Sequence, residues 1–232
     1  MSFGAICRAA LEEIGGFEVP ASFGGNLNRT AVRCVALLNR EGKTLERENR
    51  WSELIDTYTF TTVDGQAAYD LPSDFRAFAN MSQWDRTNSR PLVGPAAPFV
   101  WQWLKGDVTA GNTIDRWFRI QGGQLYIHPT PAVDGDTIAF DYYSKNWAVD
   151  ADGADIATCS SDNDVPKLDH DLLTLGLKWR FLQANGMPFE AEYREYEVIK
   201  AECLTDNGGK PLIRLGPSRR EWTNLPDQGF GQ

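Results

Sequence analysis

The apolar residues change their spacing twice along the chain, and that double switch limits the fold more than any single motif. From Phe3 to about residue 47 they recur every three or four positions. From Trp51 to about residue 147 they alternate, and from Leu168 to about residue 205 the wider spacing returns. A period near 3.6 demands helix and a period of two demands strand. A chain that opens and closes as helix around a β middle is α+β. The simplest packing joins the N- and C-terminal helices into one bundle with an inserted antiparallel β domain and an extended C-terminal tail. The expected division is residues 1–50 and 165–207 for the bundle, 51–150 for the β domain, 151–164 for an acidic linker and 208–232 for an extended arm.

Local signals place the elements within this plan. Residues 3–14 (FGAICRAALEEI) predict a short helix stopped by Gly15-Gly16. Asn26 has the chemistry of an N-cap for a second helix over 27–47, with Leu27, Ala31, Cys34, Leu38 and Leu45 on its apolar face; its last part, GKTLERENR, is polar enough to protrude. In the β region Asp64-Gly65 predicts a hairpin, Gly122-Gly123 a second, and the turn at Val133–Asp136 a third. The run PAAPFVWQWLKGD fits a short helix or a long excursion. After the acidic stretch, Leu168, Leu172, Leu175, Trp179 and Leu182 predict a third long helix. Phe189, Tyr193, Tyr196, Ile199 and Cys203 predict a fourth, joined to the third as a helical hairpin by Asn185–Pro188.

Composition narrows the function classes. At 232 residues with 42% apolar content the chain can bury a core without disulfides or metals. A net charge of −9 argues against binding nucleic acid by counterion release. Cys7, Cys34, Cys159 and Cys203 form no CxxC pair and read as small buried hydrophobes in a reducing compartment; with only His128 and His170 available, no zinc set is expected. The N-terminus lacks the basic and apolar regions of a signal peptide, and no apolar run reaches membrane-spanning length, so a soluble cytosolic protein is expected, with no membrane partner and no cofactor.

Candidates for chemistry are weak. Asp150-Ala-Asp-Gly-Ala-Asp155 has its glycine at the wrong position for a calcium loop and lacks the closing Glu, so it reads as a solvated acidic linker. Asp70 and Asp74, in YDLPSDF, are two carboxylates of the kind a glycosidase uses, but they flank Pro72 and suit a turn better. There Tyr69 and Leu71 should share one face, Asp74 should help close the turn, and Phe75 should pack back on the sheet. His128 reads as a strand-end residue, and His170 stands in a helix first turn between Asp169 and Asp171. No Ser or Cys has a nucleophile context. Neither catalytic nor metal-binding residues are assigned. A sugar-binding module would use Trp84, Trp101, Trp103 or Trp117 if they were exposed.

The tail carries a different signal. From Lys210 to Trp222, Lys210, Arg214, Arg219 and Arg220 stand against the single acid Glu221, interleaved with Leu212, Ile213, Leu215 and Trp222. A basic segment with apolar anchors suits a docking arm that orders on a partner. The fourth helix, with Glu190, Glu192, Glu195, Glu197 and Glu202 against Arg194 and Lys200, is a candidate solvent- or channel-facing surface.

The order of these motifs resembles a known family. YDLPSDF, a tryptophan-rich stretch, FRIQGGQLYIHPTP, IAFDYYSKNW, and DNDVPKL leading into LLTLGLKWRFLQANG and a Tyr/Glu-rich helix together resemble phage head-to-tail adaptor (connector) proteins, the tail tubular protein A type most of all, over residues 26–207. The resemblance implies a non-enzymatic virion protein at the head–tail junction, made in the host cytoplasm. It implies a homo-oligomeric ring, usually a dodecamer, beneath the portal protein. The ring would extend the DNA channel without sequence-specific binding and form the platform for a distal, nozzle-type tail protein. It implies portal docking by the C-terminal arm, here Leu212, Ile213, Arg214, Leu215, Arg219, Arg220 and Trp222. A carbohydrate-binding β module and a glycan hydrolase of a phage tail are the alternatives.

Overall fold

Helix α1 (Phe3–Ile14) begins where Ser2 accepts a hydrogen bond from the Ala5 backbone N–H, and it ends at Gly15, whose φ of 66° suits a residue without Cβ. Its apolar side, Phe3, Ile6, Cys7, Ala10 and Leu11, is buried. The computed structural model describes residues 1–79, 81–106 and 115–207. Helix α2 (Arg29–Glu48) starts two residues later than expected, because Asn28, not Asn26, accepts from the Thr30 N–H. Asn26 instead accepts from the Asn28 N–H and shapes the turn before the helix. Leu27 therefore lies outside the helix and is 94% exposed, while Ala31, Cys34, Leu38 and Leu45 are buried as expected. The polar end does not protrude, since Leu45 and Glu46 are both buried.

Helix α4 (His170–Ala184) is capped by Asp169, which accepts from the Leu172 N–H. Leu172, Leu173, Leu177, Trp179, Phe181 and Leu182 point to several sides, and all are buried. A helix that is apolar all round belongs in the middle of a layer, and α4 packs against α1, α2 and α5 (Glu190–Asp206). The α4–α5 hairpin closes one side of this layer, and Tyr196 is the only buried residue of α5.

Between these helices runs an eight-stranded mixed sheet, and the chain is α+β. Strand β8 (Thr137–Ser144) is its spine, antiparallel to β1 (Ile55–Thr61) on one side and to β3 (Phe75–Phe78) and β4 (Trp84–Asp85) on the other. The path continues through β5 (Arg90–Val93), β6 (Arg116–Gln121), β7 (Gln124–His128) and β2 (Ala68–Asp70). Gly122-Gly123 turns the β6–β7 hairpin, with φ of 60° and 79° and Gln121 paired to Gln124.

Two expectations fail here. Asp64-Gly65 turns the chain but makes no hairpin, since β1 pairs with β8 and β2 with β7. The turn at Val133–Asp136 likewise does not pair β7 with β8; its Gly135 N–H and Asp136 carbonyl bond to Thr62 instead. The sheet is also not wholly antiparallel, because β5 and β6 run parallel. Although β1 and β2 end the strand path, the rings of Phe60 and Tyr69 stand 4.7 Å apart. That contact requires the sheet to curl around a core of Leu92, Phe118, Leu125, Ile127, Ile138 and Phe140. Helix α3 (Pro98–Gly106) packs Trp101 and Leu104 beside Trp117 and Tyr126.

The acidic stretch is more than a solvated linker. Strands β9 (Ala148–Val149), β10 (Asp155–Ile156) and β11 (Val165–Pro166) form a small second sheet. Asn39 of α2 exchanges hydrogen bonds with the backbone of Cys159, and Asp162 accepts from the Phe23 and Gly24 N–H groups. The carboxylates at the end of this stretch thus tie backbone donors of the helical layer, a use that local composition does not reveal.

Candidate functional site

Helices α2 and α5 both reach the surface, and α2 separates most of its cations from two of its glutamates. In α2, Glu41 and Glu46 point inward and are buried, while Arg29, Arg40, Lys43 and Arg47 are exposed. Burying a carboxylate is costly unless it is paired and hydrogen-bonded. Glu41 meets that condition by an ion pair with Arg180 of α4 and a 2.6 Å hydrogen bond donated by the Tyr196 hydroxyl of α5. Gly176 makes room for it, since a Cβ there would lie 2.7 Å from Glu41 Cγ. Burial, and then the neighbouring Glu41 carboxylate, hold the Tyr196 phenol above its ordinary pKa, so it stays a donor. One buried carboxylate therefore locks three helices.

Above that lock lies the outer face of α5. Of the five glutamates predicted there, Glu190, Glu195, Glu197 and Glu202 are exposed and Glu192 is half-buried. Glu190 accepts from the Phe189 N–H, and Glu197 stands 3.9 Å from Lys200, which also pairs with Glu48 of α2. Tyr193 and Val198 are exposed apolar residues among them.

The helical layer meets the sheet through Arg76 of β3. Its guanidinium donates to the backbone carbonyls of Glu46, Arg47 and Asn49 and pairs with Glu46 Oε1 at 3.3 Å. A cation on the last carbonyls of a helix satisfies both the orphan acceptors and the dipole. Trp147 completes the joint: its indole lies on Gly42 of α2, and its Nε1 donates to the Ala157 carbonyl.

A family model described as SU10 adaptor protein matches residues 1–203. The chain belongs to the SU10 adaptor protein family. No curated protein matches it. It is a phage adaptor-like protein, and the role of such an adaptor is structural.

The remaining sequence candidates of the adaptor take up framework positions. Asp70 accepts from Gln124 Nε2 at 2.8 Å, whereas Asp74 accepts from Ser144 Oγ at 2.6 Å and from the Tyr142 hydroxyl. The two carboxylates thus hold different strands. The turn between them is closed by the Phe75 N–H on the Pro72 carbonyl, not by the Asp74 side chain. Tyr69 is buried, with Leu71 and Phe75 packed against the same core. His128 ends β7, and burial keeps its imidazole below its ordinary pKa. Trp101 is buried, Trp84 and Trp117 are half-buried and Trp103 is exposed, so these tryptophans make no continuous exposed platform.

A cleft of about 330 Å³ beside β5 and β6 is lined by Arg116, Asp85 and Pro129, and Arg116 is already paired with Asp85 at 2.9 Å and with Asp136. Cys7, Cys34 and Cys159 are buried free thiols and Cys203 is half-buried. No helix among the described residues is long and apolar enough to cross a membrane. The arm residues Leu212, Ile213, Arg214, Leu215, Arg219, Arg220 and Trp222 lie outside the described residues.

The basic face of α2 is not among the surfaces expected from the sequence. Its signal is nonetheless present there: Arg29, Arg33, Arg40, Lys43 and Arg47 recur at helical spacing with Ala36 in the gap. Only the burial of Glu41 and Glu46 separates that face from the mixed charges around it.

Proposed function

We propose that this protein is a head-to-tail adaptor of the tail tubular protein A kind, which assembles as a homo-oligomeric ring, dodecameric by analogy, beneath the phage portal protein. Segments 1–50 and 165–207 form the body of the ring, residues 51–150 the inserted domain, 151–164 the connection between them, and 208–232 the arm. The arm, through Leu212, Ile213, Arg214, Leu215, Arg219, Arg220 and Trp222, docks on the portal. The ring continues the DNA channel, and its distal side receives the next, nozzle-type tail component. Its place is the head–tail junction of the virion.

The match to the SU10 adaptor protein model over residues 1–203 carries this reading. Physical arguments support it. Closed rings need two different faces on each copy that meet head to tail, and α2 and α5 present outer faces of opposite charge. With a net charge of −9, the acidic side chains that line the channel would repel DNA phosphates.

The test is capture on the immobilised portal of the same phage, comparing the full chain with one ending at Gly209. The full chain should bind, in several copies per portal, and the shortened chain should bind at least about tenfold more weakly, the effect of removing an anchored docking segment. Equal binding by both removes the arm from the mechanism. Absence of binding by the full chain overturns the adaptor reading. By sedimentation, the purified protein alone should be a monomer.

A further inference from the structure

Arg29, Arg33, Ala36, Arg40, Lys43 and Arg47 follow one another at steps of four and three along the 20-residue helix α2. This stripe is about 30 Å long at ~1.5 Å per residue. Arg33 is half-buried on Asn185, and the other five side chains are exposed. Among the described residues, Arg29, Arg40, Lys43 and Arg47 make no ion pair. Like charges three and four positions apart destabilise a helix, and the acids that would relieve them, Glu41 and Glu46, are turned into the protein. The stripe is also a lined surface rather than a bare ridge. One groove of about 580 Å³ runs beside Arg40, Lys43, Thr44, Arg47 and Glu48, and another of about 260 Å³ lies where Lys43 and Arg47 approach Arg76 and Lys145 beside Glu46. The exposed acid at the rim of the stripe, Glu48, is paired with Lys200 of α5, and the face is basic on balance.

We propose that this face is one half of the contact between neighbouring copies, and that its occupant is the outer face of α5 of the next copy. The proposal rests on the ring reading above and specifies its interface. Charge complementarity argues for it. The 17-residue helix α5 exposes Glu190, Glu195, Glu197, Glu202 and Asp206 against one exposed cation, Arg194, while its Lys200 is already engaged by Glu48 of its own chain, so the face is acidic on balance. Between those acids stand Ala191, Val198 and Ala201, all exposed, opposite which Ala36 of the stripe leaves space for close approach. The two faces belong to different helices of one copy. A contact between them is therefore heterologous: each copy offers α2 to one neighbour and α5 to the other, and the chain of contacts can close as a ring. Opposite potentials across such an interface also fix its register and disfavour α2–α2 and α5–α5 pairing.

The test uses full-length protein assembled on the portal of the same phage, with copies per portal counted by native mass spectrometry. R40E/K43E/R47E makes both outer faces acidic, and E195K/E197K/E202K makes both basic. Each variant alone should lose filled rings by about tenfold or more relative to wild type, the size expected when opposed charge pairs are made repulsive. An equimolar mixture of the two should restore filled rings, because every contact in an alternating ring is again complementary. A single chain carrying all six substitutions should restore them as well. Normal ring filling by R40E/K43E/R47E alone, or a mixture that does not rescue, overturns the inference. If that variant fills rings normally but binds a 30-base-pair duplex more weakly than wild type does, the stripe serves DNA and the inference is again overturned. Wild-type complexes holding a single copy per portal would instead overturn the ring reading itself.

Discussion

Replacing Gly42 by alanine should destabilise the protein, against the usual trend for helices. In an exposed helix interior, Gly→Ala is favourable by about 1 kcal/mol. Here the new methyl group would stand 2.5 Å from Cε2, 2.6 Å from Cδ2 and 2.7 Å from Cε3 of Trp147. Normal carbon–carbon contact is roughly 3.5–4.0 Å, so the overlap is about an ångström against the face of a rigid ring. The indole cannot simply withdraw. It is fully buried, and its Nε1 donates to the Ala157 carbonyl at 2.9 Å, while the Trp147 carbonyl accepts from the Lys167 N–H at 2.8 Å.

Overpacking typically costs about 1–3 kcal/mol, and an overlap this deep against a rigid ring belongs in the upper part of that range, about 2–3 kcal/mol. After subtraction of the helix-propensity gain, the net loss should be on the order of 1–2 kcal/mol, a fall in Tm of roughly 3–6 °C for a protein of this size. Circular dichroism melts and urea titrations would measure it. The decisive comparison is the same substitution in a Trp147→Leu background, where the ring is gone and G42A should become favourable by about 1 kcal/mol, giving a coupling of roughly 2–3 kcal/mol. A rise in Tm for G42A in the wild-type background, or a coupling near zero, would refute the contact between α2 and the indole.

Other measurements follow from the same structure. Tyr196→Phe removes the hydroxyl that donates to Glu41 Oε1 and should cost about 1.5–3 kcal/mol in urea unfolding, as for a hydrogen bond to a buried charge; a loss below about 0.5 kcal/mol would show that Arg180 alone suffices. Burial raises the Glu46 pKa above its ordinary 4.5 against the opposing pull of Arg76. A carboxyl with a raised folded-state pKa contributes most when protonated and loses that contribution as pH rises through the folded value. The stability of Glu46→Gln relative to wild type should therefore improve from pH 4 to pH 7, and a change in the other direction in parallel denaturation curves would contradict the reading. Burial pushes the Cys34 and Cys159 thiols up to about 12 and the Cys7 thiol higher still. Maleimide labelling of the native protein near pH 8, read by peptide mass spectrometry, should reach half-buried Cys203 first; early labelling of Cys7 would show that α1 opens locally.

Much of this molecule is legible in its amino-acid sequence. Phe3 and Gly15-Gly16 bound helix α1, Gly122-Gly123 marks the β6–β7 hairpin, and Asp169 marks the start of α4, because caps, turns and periods are written in contiguous residues. The five glutamates of α5 are visible as an acidic helix for the same reason. Tertiary structure decided what depends on residues far apart in the chain. Asp64-Gly65 is a sound turn, but β8 pairs with β1, with β3 and with β4, and that competition denied the turn its hairpin. Nothing near Glu41 in sequence announces Arg180 or Tyr196, and nothing near Arg76 announces the end of α2. A charged side chain goes inside only where distant partners satisfy it. The buried glutamates, and with them the one-sided basic face of α2, are thus properties of the assembled fold: local periodicity determined which helices form, and long-range pairing of charges determined which of their faces remained free to meet a neighbour.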